Sequence, residues 1–169
     1  MNIEELISEI EILQKVSAIH LESVQFEYQR PFKSTEDKPF CDWCFSGWTQ
    51  YIPDLESGIY FICWPKDEVV YIGKATANNL GAEIWGKFGK PHEDNNGNKT
   101  FSKSYFLSNM SESIENNKPL QNAILNGGIY ISTITVSPFH ISSFIEVYLQ
   151  TVHCEKEHGK LPLLNRRIG

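Results

Sequence analysis

The chain has 169 residues, of which 41% are hydrophobic and 12% aromatic, and its net charge is −6. This composition predicts one folded domain and excludes an intrinsically disordered chain. The negative charge argues against strong sequence-independent binding to nucleic-acid phosphates, although its uneven distribution allows a local basic groove. No apolar run reaches the roughly 18 residues of a membrane span, and the acidic start MNIEELISEIEILQ lacks the positive charge of a secretory signal. We therefore expect a cytoplasmic protein without a membrane partner.

The N-terminal third predicts one helix followed by less regular chain. Residues 2–20 are predicted to form an amphipathic helix, and residues 29–40, with two prolines and mixed charge, are typical of a loop. Residues 1–56 are interpreted as an N-terminal helical extension packed on a domain of residues 57–169. Covering the core is the favoured role of this helix, and a dimer contact or a DNA-reading element are the alternatives. Its apolar stripe comprises Ile3, Leu6, Ile7, Ile10 and Leu13.

Cys41 and Cys44 form a CxxC motif in an aromatic-rich segment. A structural zinc site usually needs a second ligand pair at matching spacing, and the sequence offers none. Reduced thiols are therefore favoured over a zinc site.

The middle of the chain predicts a β-hairpin followed by a short helix. GIYFICW, from residue 58, and EVVYIG, from residue 68, are rich in β-branched and aromatic residues, with the turn-like PKDE between them. Residues 78–89 suit a short helix, with Asn78 or Asn79 as its N-cap. The polar run 91–100 is interpreted as a loop, with DNA contact as the alternative to a solvated surface.

The C-terminal part predicts a helix over 111–126, a third strand over 129–136 and a helix over 140–157. The fold class is therefore α+β, with a three-stranded, mainly antiparallel sheet flanked by helices. The last helix is predicted to bury a stripe of Ile141, Phe144, Ile145, Tyr148 and Val152, with Glu146 well round from it.

Tyr60 and Tyr71 are expected to face each other across the hairpin. Tyr60 begins one strand and Tyr71 ends the next, so cross-strand pairing predicts neighbouring rings about 5 Å apart. Gly58 and Gly73 adjoin these tyrosines and could allow a ligand close to the backbone. The alternative is an aromatic pair that only stabilises the sheet. Lys74, directly after Gly73, could favour an ionised phenol.

The chain resembles the GIY-YIG nuclease superfamily over about residues 57–165. The motifs GIY and YIGK stand ten residues apart, and they are followed by NNLGAEIWGKF and by FIEVYLQ with PLLN near the end. The resemblance is nearest to the small stand-alone or restriction-endonuclease-like branch. It implies a GIY-YIG-like sheet and hydrolysis of DNA phosphodiesters.

The resemblance also implies roles for single residues. Tyr60 and Tyr71 would be the active-site tyrosines, one of them acting as general base. Glu146 would hold a single Mg²⁺ or Mn²⁺, Asn165 would support the site, and Lys74 would face phosphate or hold a phenolate. Further contacts with phosphate or DNA are expected from Lys87, Lys90, Arg166 and Arg167.

One position departs from the pattern. Members of the superfamily place an arginine on the helix after YIG, and this chain has Glu83 there. Glu83 could pair with Lys87 and leave a weak or inactive nuclease. In a second interpretation, Lys87 or the C-terminal arginines take the role of the missing arginine, and Glu83 turns outward or adds a metal ligand. In a third, the match of this helix to the family pattern is shifted. The expected function is a metal-dependent DNA endonuclease, with intact, weakened or lost activity; the alternative is a DNA-binding or protein-interaction module without catalysis. Either would be a monomer or a homodimer.

Overall fold

A four-stranded antiparallel sheet forms the centre of the computed structural model, with the strand order β1-β6-β2-β3. A separate two-stranded hairpin pairs β4 with β5. The structure describes residues 1–16, 23–29, 56–65, 67–88, 91–93, 95, 99–101, 117–120, 123, 130–165 and 167–169. The strands are β1 Ser23–Gln29, β2 Gly58–Cys63, β3 Val69–Ala75, β4 Pro91–Glu93, β5 Lys99–Phe101 and β6 Tyr130–Ser137.

The three strands predicted from the sequence pair antiparallel, and the α+β class is confirmed. β2 and β3 are apolar almost throughout because both of their faces are buried. The fourth strand, β1, was not predicted. It pairs with β6, so the segment 1–56 contributes a strand as well as a helix.

The longer helices of the described residues are α1 Ile3–Val16, α2 Leu80–Phe88 and α3 Ile141–Lys156. The apolar stripe of α1 packs in one core with the main sheet and α3. The N-terminus of α2 lacks the predicted cap by the Asn79 side chain. The Leu80 N–H donates to the Glu56 carbonyl instead, and the Asn79 side-chain oxygen has no partner among the described residues. None of the helices described combines the length and the apolar character needed to cross a membrane.

The buried face of α3 is not the one that its apolar residues predicted. Ile145 is buried as expected, but Phe144 is 46% exposed and Glu146 only 6% exposed. The helix turns a partly polar face to the sheet, where Glu146 binds Lys74 and Gln150 donates to the Ile72 carbonyl. This face consists of Ser142, Ile145, Glu146, Leu149, Gln150 and His153.

The predicted loop at 91–100 contains the β4–β5 hairpin. An Asn-Gly pair at 96–97 lies between the two strands in the sequence and is a turn signal that the sequence analysis did not use. Most of the predicted helix 111–126 lies outside the described residues, which include a helical turn at 118–120 with Asn117 accepting a hydrogen bond from the Leu120 N–H at 3.0 Å. Cys41 and Cys44 also lie outside them.

Candidate functional site

The hairpin of β2 and β3 has two ends. We call the end with Gly58, Tyr60 and Gly73 the open end, and the end with Trp64 and Glu68 the turn end. Tyr60 pairs directly with Gly73, and Tyr71 pairs with Ile62 one diagonal step away. The two tyrosines are therefore diagonal neighbours and not directly opposed, with ring centroids 5.8 Å apart.

The two motif glycines have packing roles. A Cβ at Gly73 would lie 2.6 Å from the Tyr60 hydroxyl oxygen and 2.7 Å from Tyr71 Cε1. A Cβ at Gly58 would overlap the backbone of β6, lying 2.9 Å from the Ile134 carbonyl carbon. The expected ligand approach at these glycines is wrong, because the tyrosine rings and β6 fill the space instead.

The Tyr60 hydroxyl is buried and has no hydrogen-bond partner among the described residues. Leaving a buried hydroxyl unpaired costs about 1–3 kcal/mol. Burial raises the pKa of Tyr60 well above its ordinary value, and the neighbouring Tyr71, Glu83 and Glu146 raise it further. Tyr60 is therefore a protonated phenol at neutral pH, and its neighbour Tyr71 contributes to its raised pKa.

Lys74 and Glu146, both predicted site residues, bind each other. The Lys74 ammonium donates to Glu146 Oε2 at 2.7 Å, and their side chains are 32% and 8% exposed. The pair joins β3 to α3 across 72 residues of sequence. The charge of Glu146 also contributes to the raised pKa of Tyr60. Because solvent reaches the ammonium, Lys74 can leave Glu146 at a smaller cost than a fully buried partner could.

Helix α2 adds one charge of each sign to this end. The Lys87 ammonium lies 5.8 Å from the Tyr71 ring centroid. Burial lowers the pKa of Lys87, while the charges of Glu83 and Glu146 oppose that shift. Glu83 accepts a hydrogen bond from the Asn79 side-chain amide at 3.2 Å. The charge of Glu83 contributes to raising the pKa of Tyr60 and opposes the lowering of the pKa of Lys87.

Asn165 holds the free edge of β3. Its side-chain amide donates to the Ile72 carbonyl at 2.8 Å, and its side-chain oxygen accepts from the Ile72 N–H at 2.9 Å. Ile72 stands between Tyr71 and Gly73, so Asn165 fixes the backbone that carries the YIG motif. The Gln150 side chain also donates to the Ile72 carbonyl, at 3.2 Å. Sequence analysis missed Gln150, because a glutamine within a helix gives no signal of such a partner.

Among the predicted site residues, Tyr60 contacts Tyr71, Lys87 lies beside the Tyr71 ring, and Lys74 binds Glu146, while Asn165 holds the Ile72 backbone. Arg167 is exposed, and no described contact joins it to this cluster. Lys90 and Arg166 lie outside the described residues. Within the described part of the chain, no three His, Cys, Asp or Glu side chains are grouped as a metal site.

No protein-family model matches the chain, and neither a curated protein nor a solved structure matches it significantly.

Proposed function

We propose that the open end of the hairpin is the active site of a metal-dependent endonuclease of GIY-YIG type that hydrolyses DNA phosphodiesters. The observation that carries this proposal is that the Lys74–Glu146 ion pair lies at the same end of the hairpin as the Tyr60–Tyr71 pair. An aromatic pair that only stabilised the sheet would require neither the buried Glu146 carboxylate nor a Tyr60 hydroxyl without a partner among the described residues.

The donor set fits a hard divalent cation. Carboxylate oxygens are preferred ligands of Mg²⁺ and Mn²⁺, and Glu146 supplies one at the open end. The unpaired Tyr60 hydroxyl also indicates a site that a ligand completes. A cation held by Glu146 would supply electrostatic stabilisation of the charge that develops on the phosphate.

The tyrosines would take different roles. With its raised pKa, Tyr60 keeps its proton and orients an acceptor by donating a hydrogen bond. The base role then falls to Tyr71, which would release its own proton to solvent and, as a phenolate, take a proton from the attacking water, directly or through a second water. A bond forms between water oxygen and phosphorus, and the bond from phosphorus to the leaving oxygen breaks.

The two lysines would serve the phosphate and the leaving oxygen. Lys74, once released from Glu146, can reach phosphate with a charge-assisted hydrogen bond. Lys87 is the better proton donor to the leaving oxygen, because burial lowers its pKa. Asn165 would act only by holding the backbone between Tyr71 and Gly73 in place.

A plasmid-nicking assay with Mg²⁺ or Mn²⁺ tests this proposal. Glu146→Gln and Tyr60→Phe should each lower the cutting rate by about 100-fold or more, as is typical for loss of a group that acts in the transition state. Tyr148→Phe is the matched control, because Tyr148 bonds to Glu9 at 3.2 Å away from the open end. Equal cutting by wild type and Glu146→Gln, over varied DNA sequences, would refute the proposal.

The second candidate is a module derived from such a nuclease that binds without cutting. It is favoured by Glu83, whose negative charge faces the tyrosines where a phosphate would enter. In that case wild type would not cut DNA, and Glu83→Arg would gain cutting because it restores a cation at this position.

A further inference from the structure

We propose that the Lys74 ammonium occupies the position of the divalent cation on Glu146, so that Lys74 and Mg²⁺ or Mn²⁺ bind this carboxylate in turn and never together. The inference rests on the proposed function above and names what controls cation binding at that site. Cation binding then releases Lys74, and the freed ammonium becomes available to the phosphate of the substrate.

Glu146 forms one ion pair in the described part of the chain. Its Oε2 accepts a hydrogen bond from the Lys74 ammonium at 2.7 Å, and no other hydrogen bond joins the Glu146 side chain to a described residue. A carboxylate can accept several hydrogen bonds, so most of this capacity is unused. Because the Glu146 side chain is only 8% exposed, water has little access to the remaining lone pairs.

A buried carboxylate needs a cation beside it. Removal of one partner from a buried ion pair is strongly destabilising, because the remaining charge is left uncompensated. Lys74 can therefore leave Glu146 only when another cation takes its place at the carboxylate. A divalent cation on the same carboxylate would lie within a few ångströms of the ammonium, and like charges at that distance repel each other. Only one of the two cations can therefore be bound at a time.

The lysine is the member of the pair that can move. Its side chain is 32% exposed on a flexible stem, whereas Glu146 lies on the face of α3 that packs against the sheet. One turn further along this helix, Gln150 donates to the Ile72 carbonyl at 3.2 Å, so α3 stays attached to β3 without the ion pair. Exchange of the two cations therefore needs only a rotation of the Lys74 side chain and leaves the carboxylate in place.

The alternative is a purely structural ion pair that fastens β3 to α3. The described residues include another ion pair for comparison, in which Lys156 donates to Glu9 at 2.8 Å and links α3 to α1. Lys156 is 43% exposed, and Glu9 also accepts from the Tyr148 hydroxyl at 3.2 Å. Replacing Lys156 changes the net charge by the same amount as replacing Lys74, so Lys156→Met is the matched control.

Binding of Mn²⁺ alone, without DNA, tests the inference. Electron paramagnetic resonance of free Mn²⁺ gives the dissociation constant for wild type, Lys74→Met, Lys156→Met and Glu146→Gln. Lys74→Met should lower this constant by at least about fivefold, the smaller end of the usual coupling between two bound groups, because no ammonium competes for Glu146. Lys156→Met should leave the constant unchanged. Glu146→Gln should raise it by about tenfold or more, the loss seen when a group that supports a metal site is removed.

Acetylation of the wild-type protein measures the release of Lys74 without any substitution. The protein is treated briefly with acetic anhydride, with and without saturating Mg²⁺, and mass spectrometry gives the rate at each lysine. An amine held in an ion pair is less available to the reagent than one in solvent. Mg²⁺ should therefore raise the rate at Lys74 by at least about fivefold relative to the rate at Lys156, whose partner Glu9 is not at the open end.

The outcomes separate this inference from the proposed function. Tighter Mn²⁺ binding in Lys74→Met than in Lys156→Met, with faster acetylation of Lys74 in Mg²⁺, supports the inference. An unchanged or higher dissociation constant in Lys74→Met, with weak binding in Glu146→Gln, overturns the inference and leaves the proposed function intact. Wild-type affinity in Glu146→Gln overturns both. If Lys74→Met does not fold, the acetylation rates decide, and a ratio of Lys74 to Lys156 that Mg²⁺ does not change overturns the inference.

Discussion

The two ends of the β2–β3 hairpin differ in how their polar groups are satisfied. Helix α3 serves both ends, since Glu146 and His153 stand seven residues apart on its buried face. At the turn end, His153 Nδ1 lies 3.0 Å from the Lys160 carbonyl oxygen. There too, Glu157 binds the Met1 ammonium at 2.6 Å. At the open end, the Tyr60 hydroxyl is unpaired although it is completely buried.

The turn end also has a cleft. Its volume is about 330 Å³, and it is lined by Trp64, Glu68 and His153 among others. The Glu157–Met1 ion pair and the contact of His153 with the Lys160 carbonyl lie at this cleft, which is typical of a structural role. Local rules tend to be broken at functional positions, but the Tyr60 hydroxyl is one of several unpaired buried atoms in the described part of the chain, with those of Ser132 and Ser142, so it supports a site at the open end only together with the tyrosine pair.

The largest expected effect compares one glycine from each end. Gly58→Ala should reduce the free energy of unfolding by about 3 kcal/mol or more, because the new Cβ overlaps the β6 backbone at Ile134, which has no rotamer to change. Gly159 has φ +85° and open space around its Cβ position, so Gly159→Ala should cost only about 1 kcal/mol for the left-handed backbone. Urea denaturation measures both. Equal losses of unfolding free energy in Gly58→Ala and Gly159→Ala would show that β2 and β6 can move apart at Gly58 without cost.

The hairpin and the long helix α3 could be predicted from sequence because their signals are local. Runs of β-branched residues marked β2, β3 and β6. The strand β1 was missed although SVQFEYQ alternates apolar and polar residues, since its partner β6 lies about a hundred residues away.

The candidate site was only partly predictable. Motif spacing indicated Tyr60 and Tyr71, but not their diagonal arrangement, which depends on strand register. The helical wheel of α3 predicted that Glu146 would lie away from the buried apolar stripe. Periodicity alone cannot show that Lys74 would pair with Glu146. Such long-range polar pairing is fixed by tertiary packing and leaves no local pattern in the sequence.

The next prediction concerns Asn165, which binds the backbone of the edge strand β3 between the two ends of the hairpin. Asn165→Ala should reduce the free energy of unfolding by about 2 kcal/mol, because two hydrogen bonds to the Ile72 backbone are lost. Leu163→Ala is the neighbouring control, since Leu163 is 44% exposed, and it should change stability by less than about 0.5 kcal/mol. If Asn165→Ala unfolds at the same urea concentration as wild type, Gln150 alone is sufficient to hold the edge.

The smallest expected effect is a pH dependence that belongs to the turn end. Burial lowers the pKa of His153, while the Lys160 carbonyl, Glu157 and Glu68 oppose that shift and the Met1 ammonium adds to it. The folded state thus binds a proton less readily than the unfolded chain, whose histidine titrates near 6.5. Stability contributed by neutral His153 is complete above about pH 6.5 and falls as the pH is lowered toward its folded pKa, by at most about 1.4 kcal/mol per pH unit.

Urea denaturation between pH 5.5 and pH 8 measures this slope for wild type, His153→Gln and the exposed His158→Gln. The glutamine at position 153 cannot titrate, so that variant should lose the part of the slope that wild type shows below pH 6.5, while His158→Gln should keep it. An unchanged slope in His153→Gln would place the proton uptake elsewhere. His153 would then have a purely structural role at every pH in this range.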